Sequence, residues 1–94
     1  MTKDELATEI ARKTGIEKVQ VLKTIESLME TVKLNMSKNK NIYLRGFGTF
    51  LVKKRAKKTA RNISKNTSII IPAHFIPSFK PSKEFVVSIK LKKV

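Results

Sequence analysis

The sequence predicts an α+β chain: two N-terminal amphipathic helices, then a short antiparallel sheet that runs out into a long basic β-hairpin arm. Three observations carry this. Apolar residues recur at helical spacing as far as Ser37. From Ile42 onward, β-forming runs surround a Gly46-Phe47-Gly48 reversal. Charge is divided unevenly: residues 1–50 hold 9 Lys/Arg and 6 Asp/Glu, whereas residues 51–94 hold 12 Lys/Arg and Glu84 alone. A mixed-sign folding part is thus joined to an almost acid-free electrostatic surface.

Each element has a local reason. Thr2 and Glu5 form a T-x-x-E capping box ahead of Leu6, Ala7, Ile10 and Ala11. Thr14-Gly15 ends that first helix, at roughly residues 3–14. Val19, Leu22, Ile25, Leu28, Met29, Val32 and Met36 then share one face of a second helix that runs to about Ser37. The first helix is too short to cover so long a stripe. Part of it, including Met29 and Met36 as packing residues, is expected to face another chain.

After the polar turn 38–41, Ile42-Tyr43-Leu44 begins a strand in which Tyr43 is expected to pack. Gly46-Phe47-Gly48 permits a sharp reversal, and Thr49-Phe50-Leu51-Val52 starts the return. Residues 53–65 then carry seven cations and no acid, a segment that cannot bury a core. It is flanked by β-formers, Ile69-Ile70-Ile71 and Phe75-Ile76, which favours a hairpin over a disordered basic tail. Residues 51–61 lead out, 62–68 turn and 69–77 return. At about 3.3 Å per residue such an arm reaches about 35 Å. Pro72 suits an edge or a bulge within it, and His74 falls on its surface. Residues 77–82 read as a turn-rich connection, with Ser82 as a helix cap and Glu84 in the first turn. The stretch 85–91 fits a strand and a helix equally well.

The chain has 94 residues, a net charge of +14 and no cysteine. So short a chain with a protruding arm buries little core. Without disulfides or thiolate metal sites, oligomerisation is the remaining staple. An obligate dimer is expected, with a polyanion as partner. No run of about 18 apolar residues is present for a membrane span, and the first residues do not read as a signal peptide. The expectation is a cytoplasmic protein.

The run Gly46-Phe47-Gly48-Thr49-Phe50, the basic residues after it, Arg61-Asn62, and Pro77-Ser78-Phe79-Lys80-Pro81 resemble the HU / integration host factor family of bacterial histone-like proteins. The likeness covers about residues 1–90. It implies an intertwined dimer, a homodimer by expectation, whose two β-arms embrace double-stranded DNA along the minor groove, and a short C-terminal helix near residues 83–91. It also implies one domain over 1–94: a helical dimerisation part at 1–38, sheet and arm at 41–79 with the arm about 53–75, and the last helix at 82–91.

Within that frame Arg55 and Arg61 are candidates for minor-groove insertion. Lys53, Lys57, Lys58, Lys65, Lys80 and Lys83 are assigned to phosphates, and the resemblance implies that Arg45 also sits near the phosphates. Asn62 and Ile63 mark the arm's tip. The family usually places proline where this chain has Ile63, an apolar residue still suited to wedging between base pairs, and commonly glycine where it has Ala60. Leu28, Met29, Val32, Met36, Leu44, Phe47, Phe50 and Phe79 are the expected dimer interface. The three phenylalanines are read as buried there, not as single-strand stacking platforms.

The expected function is architectural: largely sequence-independent binding and bending of DNA in the nucleoid. A site-specific bender like integration host factor is the alternative within the family. An RNA-binding or ribosome-associated protein is the alternative outside it. One histidine, no cysteine, no phosphate-cradling loop and no paired carboxylates leave an enzyme without its groups. No cofactor, metal, membrane or small-molecule partner is expected.

Overall fold

A computed structural model describes residues 1–62 and 67–92, with Arg61 and Asn62 described by their backbone only. The order is α1 (Lys3–Thr14), α2 (Lys18–Ser37), β1 (Ile42–Leu44), β2 (Gly48–Arg55), β3 (Lys58–Asn62), β4 (Thr67–Ile71), β5 (His74–Pro81) and α3 (Lys83–Lys90). The helix ends follow local chemistry. The Thr2 hydroxyl accepts from the Glu5 backbone N–H, and Gly15 closes α1 by donating to Ala11 O. Asn39, at φ 60, ends α2 in a left-handed conformation that asparagine tolerates, and donates to Met36 O. Ser82 caps α3 by accepting from the Phe85 N–H. The last segment is therefore a helix.

Strands β1, β2 and β5 form one antiparallel sheet in that order, and β3 and β4 form a second ladder farther out. Gly46, at φ 81, makes the turn into β2. Gly48 is confined for another reason: a Cβ there would lie 2.6 Å from both Lys80 O and the Phe79 ring.

Three expectations are corrected. The segment 77–81 is strand, not a turn-rich connection; β5 pairs Pro77 with Val52 and Pro81 with Gly48. The prolines are tolerated because β5 is an edge strand, and two residues four apart turn their missing N–H groups to the same, unpaired side. Accordingly Val52 directs its own N–H the other way, to Asn41 Oδ1 at 3.3 Å. The turn at the arm's tip is also tighter than 62–68, because Arg61 pairs with Ser68 and Asn62 with Thr67. Finally, Tyr43 does not pack: it is 74% exposed, since it stands on the sheet face opposite Ile42 and Leu44.

The arm is interrupted at residues 56–57 and 72–73. Pro72 cannot donate to a ladder. The register on the two sides of the break is nevertheless the same, with Arg55 opposite His74 and Lys58 opposite Ile71, so no residue is inserted. The molecule extends 58 Å along its longest axis with a radius of gyration of 18.9 Å. A chain of this length folded into a ball would give about 12 Å.

The core of one copy is small. Among the described residues only Ala7, Val21 and Gly48 are buried. Lys3–Glu26 at 2.9 Å and Lys18–Asp4 at 3.0 Å tie α1 to α2 at the surface, where such pairs contribute little.

Candidate nucleic-acid interface

Alternation along β2 separates two faces. Ile42, Leu44, Phe50 and Val52, with Phe79 and Pro77 opposite the last two, turn toward α2. Tyr43, Thr49, Lys53 and Arg55, with Lys80, Ile76 and His74 across from the last three, turn away. The cations assigned to this part of the arm thus fall on the face that the helices leave open.

At the base of that face a shallow cleft of about 370 Å³ is lined by Tyr43, Arg45, Thr49, Lys80, Ser82 and Lys83, among others. Arg45 comes from the β1–β2 turn, Lys80 from β5, and Lys83 is the first residue of α3. Cations from three different elements, Arg45 distant in sequence from the other two, converge where the α3 N-terminus adds its partial positive charge and free N–H groups. Such a cleft suits an anion.

Farther out, Lys57 is exposed in the break between the ladders. Lys58 pairs with Ile71 and stands on the same side of the outer ladder as Ala60 and Ile69. The backbones of Arg61 and Asn62 end β3. Ile63 and Lys65 lie outside the described residues. Among the described residues the arm has no carboxylate to neutralise these charges. Among the described side chains the cations run from the α3 N-terminus to Lys58.

The apolar residues expected at a dimer interface also gather. Leu28, Met29, Val32, Leu44, Phe47 and Phe50 line one open hollow of about 860 Å³. Met36 lies apart, beside Val52, Phe75 and Pro77. Phe79 sits at the centre of an aromatic cluster, with ring centroids 5.2 Å from Phe47 and 4.9 Å from Phe50. Phe85 completes that cluster, 5.3 Å from Phe47. Sequence reasoning did not single out Phe85 for this cluster; its position three residues after the Ser82 cap was the signal. Tyr43 was missed at the basic cleft, and strand alternation from Leu44 would have placed it there.

Comparison with known proteins agrees with this geometry. The family described as bacterial DNA-binding protein matches residues 1–90. The prophage-derived DNA-binding protein HU 2 of Bacillus subtilis is 34% identical over 98% of this chain and 100% of its own length. The integration host factor subunit beta of Marinobacter nauticus is 38% identical, covering 89% of this chain and 87% of that protein. The HU chain of an Anabaena HU–DNA cocrystal structure superposes with a TM-score of 0.91 at 29% identity, over 98% of this chain and all of that one. With a match along nearly its whole length, this chain belongs to the bacterial DNA-binding protein family of HU and integration host factor.

Proposed function

We propose that this protein is a histone-like architectural protein that binds and bends double-stranded DNA as a dimer, largely without regard to sequence, and so helps compact the nucleoid. The observation that carries this reading is the acid-free arm of constant register, which continues the cationic cleft formed by Arg45, Lys80 and Lys83.

The parts work together by simple physics. A second copy covers the apolar hollow that one copy leaves open. The two arms then project from one body and follow the minor groove. Lys53, Lys57, Lys58, Lys65, Lys80, Lys83 and Arg45 neutralise phosphates and release condensed counterions, a driving force blind to sequence. Arg55 and Arg61 enter the narrowed groove. Asn62 and Ile63 reach the base step at the tip, where an apolar wedge costs a few kcal/mol of unstacking, offset by contacts that bent DNA makes with the body. None of these steps requires a cofactor or a metal.

The test is a salt titration on duplexes of unrelated sequence, with structured RNA as competitor. A dimer that neutralises about 6–10 phosphates should lose about 10³–10⁵ in affinity between 50 and 200 mM salt. A flat salt response, or preference for RNA over bent or nicked duplex, would overturn the reading.

A further inference from the structure

We propose that His74 is a proton-gated phosphate contact of the arm, recruited when its imidazole is charged and released when it is neutral. This rests on the DNA-binding reading above. His74 opens β5 directly opposite Arg55, and partners across an antiparallel pair share a face with Cβ atoms about 4.5–5.5 Å apart. That face is the one away from the helices, and His74 is exposed on it. The imidazole Nδ1 lies 2.9 Å from Pro72 O. A carbonyl oxygen only accepts, so Nδ1 carries the hydrogen. Nε2 is then the atom that gains or loses the proton. Without the proton it presents a lone pair, which a phosphate oxygen repels. With the proton it presents a charged N–H, the donor of a strong ionic hydrogen bond.

The surroundings give the switch its direction. Arg55 faces His74 across the ladder, Lys53 lies two positions along the same face, Lys57 lies in the break and Lys58 follows beyond it. Lys54 is on the opposite face. No Asp or Glu occurs from residue 51 to residue 83. The arm therefore offers the imidazolium no anion of its own. A DNA phosphate supplies one, so binding takes up a proton and affinity rises as pH falls. His74 is the only histidine and cysteine is absent. A proton linkage lost in His74→Ala is thereby assigned to this side chain and separated from the α-amino group.

The experiment measures duplex affinity against pH and salt for the parent, His74→Ala and His74→Lys. At 0.15 M salt, neutralising one more phosphate should strengthen binding about fivefold, or about 30-fold for the two arms of a dimer. The parent should gain up to that factor between pH 8 and pH 5.5, with a log–log salt slope steeper by about 2 at the lower pH. His74→Ala should lose the gain, and His74→Lys should keep the tighter binding at both pH values. A parent flat in pH, or His74→Ala with the gain intact, overturns the inference while leaving salt-driven DNA binding untouched. Absence of salt-dependent duplex binding at both pH values would refute the underlying reading as well.

Discussion

Truncating Phe47 tests whether the open apolar hollow is an interface. The ring packs on Phe79 and Phe85 within its own chain, yet 46% of the residue stays exposed. A phenylalanine presents about 200 Å², so about 90 Å² is left for a second copy to cover. At about 25 cal/mol per Å² that burial contributes about 2 kcal/mol per copy, beside a similar amount already gained within the chain. In a dimer, Phe47→Ala should then cost about 4–5 kcal/mol per copy, the upper range for such truncations, and each dimer carries two. In a monomer only the intrachain half, about 2–3 kcal/mol, is at stake. Urea unfolding at several protein concentrations separates the cases. Unfolding of a dimer into two chains gains about 1.4 kcal/mol of native stability per tenfold rise in concentration. With a slope of about 2–3 kcal/mol per M, the parent's midpoint should rise by about 0.5 M per decade. Phe47→Asp, which places an unpaired charge in the interface, should not fold. A midpoint independent of concentration, together with a folded monomeric Phe47→Asp, would refute the interface.

Three further outcomes are expected. Lys57→Ala or Lys58→Ala should flatten the salt slope by roughly 1 per arm, equally on all duplex sequences, as read by fluorescence anisotropy across a salt series; sequence-dependent losses would argue for base contacts instead. Ile63→Ala should reduce DNA bending measured by energy transfer between labelled duplex ends while keeping most of the affinity, and Ile63→Pro should maintain or sharpen the bend; undiminished bending by Ile63→Ala would leave the arm working by charge alone. Gly48→Ala drives a Cβ into Lys80 O and the Phe79 ring, so thermal unfolding should show a loss of about 1–3 kcal/mol; an unchanged melting temperature would mean β5 can move away without cost.

The sequence by itself determined the features that depend on near neighbours. The Thr2 and Ser82 caps, the Gly15 stop, the apolar stripe from Val19 to Met36 and the turn at Gly46 each arise from residues a few positions apart. They were legible because helical and strand periods, and the chemistry of caps, are local. The charge split and the missing cysteines likewise pointed to a polyanion and to a partner chain without any coordinates. Other features were decided only by pairing between distant segments. Residues 85–91 fit two periods, so periodicity left them open; the family resemblance chose the helix, and packing of Phe85 on Phe47 is the tertiary contact that holds it. Pro77 and Pro81 looked like turn residues until the edge of a sheet accepted them, because the cost of a missing N–H depends on whether a neighbouring strand needs it. Which arm cations share a face, and that His74 meets Arg55, follows from a register set across the whole hairpin. The convergence of Arg45, Lys80 and Lys83 has the same origin: hydrogen bonds between β2 and β5 bring together residues that no sequence window contains.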